Sequence, residues 1–150
     1  MSTRVYLAAP FFNPEQLELV VKLEQLVLAM PDLTLYSPRQ DGVLTTMNQE
    51  QRDKAAINIF KKNCSEIAKS DVILAVIDGR DQGVTWEMGY GFGFGIPIIT
   101  YTDQDFGLNV MLKGCARAHV KGIEEAFKIL KIIDDNGFVV SGNNLHQVVT

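Results

Sequence analysis

The 150-residue chain has only two cysteines, Cys64 and Cys115, far apart and without metal-type spacing. Two free thiols in a reducing cytosol are therefore expected, and not a zinc site or a disulfide scaffold. No apolar run approaches ~20 residues, which excludes a membrane-spanning helix. The amino terminus, MSTRVYLAAPFFN, turns polar too soon for a secretory signal and reads as a first strand. A cationic excess is also missing. Fourteen basic and 18 acidic side chains leave a net charge of −4, which is not the footprint of a nucleic-acid binder. There is no GxGxxG after the first strand and no GxxxxGK[ST], so neither a dinucleotide site nor a P-loop is expected. Internal repeats and low-complexity segments are absent as well.

What remains has the composition of a folded domain: 47% apolar and 21% charged residues. A chain of this length forms one domain that buries roughly two-thirds of its unfolded surface. Arg4 to Ala9 is a short apolar run of the buried-strand type. Asn13, Pro14 and Gln16 then carry helix-start chemistry, with Gln16 able to close a capping box. The following helix places Leu19, Val20, Leu23, Leu26, Val27 and Met30 on one face and stops before Pro31.

Leu33 to Tyr36 is a second strand. Ser37 to Glu50 is a long loop of the kind that carries function. A helix from about Gln51 to Lys69 has Ala56, Ile59, Phe60 and Ile67 on its inner stripe, with Asn63 among them. Asp71 to Ile77 is the most apolar strand and is expected to be central. Further strands are expected at Ile96 to Tyr101 and Ala118 to Lys121, with a last helix over Ile123 to Asp134. The tail beyond Asn136 has no clear pattern. Strands alternating with helices give an α/β fold, a parallel sheet of about five strands covered on both faces. Its site is expected at the carboxyl ends of the strands.

The segment DGRDQGVTWEMGYGFGFG concentrates candidate chemistry. Asp78, Asp81 and Glu87 fall between the central strand and the next helix. With Thr85 as N-cap, Glu87 enters the first helical turn, where the helix dipole favours an ionised carboxylate by about 0.3–1 kcal/mol. An ionised carboxylate is a competent nucleophile toward an anomeric carbon, although the same position also suits a plain surface residue. Gly89, Gly91, Gly93 and Gly95 each weaken that helix by up to about 1 kcal/mol, which points to close backbone approach to the sheet or to another subunit.

Tyr6 reads either as a half-buried strand tyrosine or as a hydroxyl that reaches a site carboxylate. Asn63, polar on an apolar stripe, must find partners in a loop or a ligand. Phe11 and Phe12 read as core, or as a stacking surface at the mouth of the site. Trp86 either packs against a ligand or fills the core. His119 and His146 read as structural or solvent-facing.

Three segments in this order, VYLAAPFFN, SDVILAVIDGRDQGVTWEMGYGFGFGIPI and GLNVML, resemble the nucleoside 2-deoxyribosyltransferases. The resemblance spans roughly Arg4 to Leu112, and its central Asp-to-Glu motif is the specific part. It implies a flavodoxin-like, doubly wound sheet and a homo-oligomer, a hexamer built from dimers or a dimer; a cytoplasmic location is expected alongside. It implies exchange of purine or pyrimidine bases on 2′-deoxyribonucleosides, with small-molecule nucleosides and free nucleobases as partners and no metal or organic cofactor. By the same resemblance Glu87 is the nucleophile, Tyr6 hydrogen-bonds to it, and Asp81 lies near base and sugar; Asp78, in the same segment, is a candidate substrate-binding residue. Phe12 stacks on the base, and Asn109 and Met111 complete a neighbouring subunit's site.

The loop bearing Arg39, Gln40 and Asp41 is expected to face the base edge. Asn63 stands where some relatives carry an aspartate that handles the base proton, which an amide cannot do as a carboxylic acid does. That leaves Asp81 or a water molecule as proton donor. A related N-glycosidase hydrolase of deoxynucleosides or their 5′-monophosphates is one alternative; the monophosphate form would need a phosphate-binding loop, whereas PFFNPEQ is apolar and then acidic. A non-catalytic nucleoside-binding module is the remaining alternative.

Overall fold

The computed structural model describes residues 2–41, 48–105 and 107–137, with the backbone alone at Asp41. Apolar, largely β-branched runs form one sheet of five strands among these residues: β1 (Thr3–Ala8), β2 (Leu33–Tyr36), β3 (Val72–Val76), β4 (Ile98–Thr102) and β5 (Ala118–Lys121). All pairings are parallel, in the order β2-β1-β3-β4-β5. That is the flavodoxin-like arrangement. Central β3 is buried at every position, as its unbroken apolar run implies. β4 starts at Ile98 and not at Ile96, because Pro97 has no N–H to give a ladder.

The helices are α1 (Pro14–Leu28), α2 (Gln49–Ala68), α3 (Gln82–Gly93), α4 (Val110–Cys115) and α5 (Gly122–Asn136). One core packs α1 and α5 against Val5, Leu7, Val72, Leu74, Ile99 and Tyr101. The other packs α2, α3 and α4 against Tyr6, Ala8, Ile73, Ala75 and Ile98. The alternation of neighbouring strand residues between the two cores is the period-two pleat.

Asn13 caps α1 by accepting the Gln16 N–H at 2.9 Å. The Gln16 side chain does not close the expected capping box. It accepts the Phe12 N–H instead, also at 2.9 Å. A reciprocal box does form at α2, where Asn48 and Gln51 exchange bonds of 2.8 and 3.1 Å and the helix begins at Gln49.

The apolar stripe expected on α2 holds only at Ile67, which is fully buried. Of the other expected members, Phe60 is more than half exposed, Ala56 is exposed and Ile59 is only partly buried. A 20-residue helix is about 30 Å long, whereas strands of four to six residues span about 13–20 Å. The amino-terminal half of α2 therefore overhangs the sheet.

Glu24, on the buried stripe of α1, is 3% exposed. Its carboxylate accepts from Ser37 Oγ at 2.7 Å and from Arg39 Nε at 3.0 Å. A buried charge must be paired, and Arg39, turned toward α1, is the partner. His119 is buried and bonded to Thr100, a structural placement. No helix among the described residues is long and apolar enough to cross a membrane. His146 and the tail beyond Asn136, apart from Gly137, lie outside the described residues.

Candidate active site

The sheet reverses its winding between β1 and β3, which is where open α/β sheets place their ligands. Tyr6 lies on β1 and is fully buried. α3 follows β3 directly. Along α3, Val84, Met88 and Gly91 face the sheet, and Glu87 falls on the same i, i+3, i+4, i+7 stripe. The Tyr6 hydroxyl donates a hydrogen bond to Glu87 Oε2.

The helix start expected at Thr85 is corrected. Asp81 is the N-cap, accepting the Val84 N–H at 3.0 Å, and Gln82 is the first helical residue. An aspartate carboxylate caps as well as a threonine hydroxyl, and the Thr85 hydroxyl bonds back to the Gln82 carbonyl at 2.9 Å. Glu87 thus sits in the second turn, beyond the strongest reach of the dipole. Its electrostatics are also the reverse of the expectation. The Glu87 carboxyl is raised to about 7, because burial and the negative charge of Asp81 push it up by more than the Tyr6 hydrogen bond pulls it down. Burial and the Glu87 charge likewise drive the Tyr6 phenol above its ordinary value, so Tyr6 remains a donor.

Gly91 explains how α3 comes so close. A Cβ there would lie 2.2 Å from Ile73 Cδ1. Cβ atoms at Gly89, Gly93 and Gly95 would meet nothing within 4 Å. Gly95 ends the helix with a φ of +76°. The expected close approach to the sheet therefore falls on Gly91 alone.

A pocket of about 330 Å³ opens between α2 and α3, lined by Phe60, Asn63, Gly83, Trp86 and Glu87. Trp86 is not core. It is nearly half exposed and stacks on Tyr90, with ring centroids 5.0 Å apart and planes 14° apart, while Phe60 tilts against it. Asn63 Oδ1 accepts from the Tyr36 hydroxyl at 3.0 Å. Tyr36 pairs with Tyr6 across β1 and β2, with ring centroids 5.4 Å apart. Sequence reasoning did not single out Tyr36. Only the β1–β2 register brings it beside Tyr6.

Of the other candidates, Asp78 lies at the carboxyl end of β3. Its two oxygens accept from the Thr102 hydroxyl and, at 2.7 Å, from the Asp103 N–H. It lines a cleft of about 310 Å³ on the α1 side, with Asn13, Gln16 and Gly79. Phe12 is 74% exposed and stacks on Phe11, which packs against the core. Asn109 caps α4, accepting the Met111 N–H at 2.8 Å, and Met111 is 75% exposed. Neither Asn109 nor Met111 lines this chain's Glu87 pocket. Gln40 is exposed on a 3₁₀ turn, Pro38–Asp41, and the side chain of Asp41 lies outside the described residues.

The family model for nucleoside 2-deoxyribosyltransferase matches residues 5–139. No protein of curated function matches the chain. Among solved structures, the chain is similar to a 2-deoxyribosyltransferase from Bacillus psychrosaccharolyticus. The TM-score is 0.71 at 24% identity, over 99% of both chains. A conserved protein from Enterococcus faecalis matches with a TM-score of 0.66 at 20% identity, over 88% of this chain and 99% of its own. A CMP N-glycosidase from Clostridium botulinum matches with 0.61 at 14% identity, again over 88% and 99%. At these identities the three structures support the fold.

Proposed function

The chain belongs to the nucleoside 2-deoxyribosyltransferase family, and from that premise we propose that it moves a 2-deoxyribosyl group between nucleobases through an ester on Glu87. The observation that carries the reading is the Tyr6–Glu87 pair at the sheet's switch point, opening into a pocket with aromatic walls. A Glu87 oxygen bonds to C1′ as the C1′–N bond breaks, and the bond pair leaves with the base. A second base then attacks C1′ and frees the carboxylate. Two inversions give net retention. Burial favours this step, because the charge that makes Glu87 costly in the free protein is neutralised when the ester forms. The missing 2′-hydroxyl eases formation of the oxocarbenium-like transition state, so deoxyribosides react best.

The neighbouring-subunit role of Asn109 and Met111 belongs to the same reading. It is supported by their exposure on the α4 surface, away from this chain's own pocket. Phe12, Gln40, Asp41 and Asp78 are the further proposed substrate contacts. Asp81, with Oδ1 on the cap and Oδ2 unpartnered among the described residues, is the proposed proton handler. The reading places the enzyme in the cytoplasm as a self-assembling nucleobase-exchange catalyst, without cofactor.

Transfer is favoured over cleavage of 5′-monophosphates by the start of α1. There the Phe12 and Gln16 N–H groups are already taken by side chains and Pro14 has none to give, which leaves a poor phosphate nest. Incubation with thymidine and free adenine should yield deoxyadenosine by chromatography. Release of thymine without deoxyadenosine would replace transfer by hydrolysis.

A further inference from the structure

Tyr6, in the second half of β1, pairs with Tyr36 at the carboxyl end of β2, and each hydroxyl reaches a polar residue on the helical layer above. Tyr6 meets Glu87 on α3, and Tyr36 meets Asn63 on α2. Asn63 and Glu87 line the same pocket from its two sides. The Tyr36 bond is made to Asn63 Oδ1. An asparagine side chain carries one acceptor end and one donor end. With its oxygen held by a phenol, the amide offers its two N–H donors to whatever fills the pocket.

The geometry points to Asn63 as a neutral hydrogen-bond donor to the departing nucleobase, held in that orientation by Tyr36 as a positioning residue. This rests on the transferase reading and adds how the leaving base is stabilised. When the C1′–N bond breaks, its electron pair enters the base ring, and negative charge spreads onto an acceptor such as a pyrimidine carbonyl oxygen or a purine ring nitrogen. An amide N–H aimed there strengthens its hydrogen bond as that charge grows, the condition for lowering a barrier. No proton is transferred from Asn63. The base leaves as a hydrogen-bonded anion and takes its proton later from solvent or an acid at the mouth. The pocket thus favours bases that carry an acceptor beside the glycosidic nitrogen. It depends on that bond most when the base is a poor leaving group.

The test compares thymidine with 5-fluoro-2′-deoxyuridine, whose base is more acidic and needs less help to leave. In Tyr36→Phe, kcat should fall about tenfold with thymidine and much less with the fluorinated substrate. Asn63→Ala should show the same dependence more strongly, and the double variant should be no worse than Asn63→Ala alone. Equal slowing of both substrates by Tyr36→Phe, or losses that multiply in the double variant, would overturn the donor assignment while leaving the transferase reading intact. A wild-type enzyme that turns over neither substrate would overturn both. A thermal melt of each variant separates lost packing from lost catalysis.

Discussion

Glu87 carries a cost that its proposed chemistry uses. Its carboxyl is raised from 4.5 to about 7 by burial, so the nucleophilic form is filled only near neutrality. Transfer rates should climb between pH 5 and 8 with a midpoint near 7. In Tyr6→Phe the bond that favours the ionised form is lost, and the midpoint moves to higher pH. In Asp81→Asn the repelling charge is lost, and the midpoint moves lower. Stability runs the opposite way. The folded value lies above the unfolded one, so the group's stabilising contribution is present in acid and lost as pH rises through about 7. Glu87→Gln should therefore abolish transfer while raising the melting temperature at pH 8, as pH–rate profiles and thermal melts can check. The residue was legible in the sequence from its motif, but its surroundings were not. Thr85 and Asp81 are both plausible caps, and choosing the later one displaced Glu87 by a turn and hid the stripe it shares with Val84, Met88 and Gly91.

Among the elements, α3 shows most clearly how sequence choices set the site. Gly91 lets the helix backbone lie against Ile73, which brings Glu87 within reach of Tyr6. Gly91→Ala should destabilise the fold by about 1–3 kcal/mol through overpacking. Gly89→Ala, facing open space, should stabilise an isolated protomer by up to about 1 kcal/mol. Urea unfolding of the two variants would show opposite shifts. Strands were legible where a dense apolar run meets turn residues, and both β2 and β5 have the expected limits. α2 was legible as a helix but not in its burial, because periodicity reports which face is apolar and not what covers it. α4 went unread, since a six-residue helix has too few turns to show a period.

At the scale of the whole molecule, Phe60, Trp86, Phe92, Phe94, Val110 and Met111 are exposed, and all lie on α2, α3, α4 and the end of α3, the layer that also holds the Glu87 pocket. Apolar side chains gathered on one layer suit contact with another copy. If Asn109 serves a neighbour's site, Glu87→Ala and Asn109→Ala chains, each nearly inactive alone, should regain activity when co-assembled. The mixed assembly contains sites with both wild-type residues. The fold was the most legible level, because alternating strands and helices fix a parallel sheet, and open sheets of this kind place ligands at their carboxyl edge. The proposed service of Asn109 and Met111 to another copy came from the family resemblance, because one chain's periodicity carries no trace of such a contact.

The central claim is the covalent intermediate, and mass spectrometry of the protein tests it most directly. Protein mixed with thymidine in the absence of an acceptor base, quenched and digested, should carry a deoxyribosyl group on the peptide containing Glu87. Transfer that proceeds with no adduct, or with the sugar on another residue, would contradict the account.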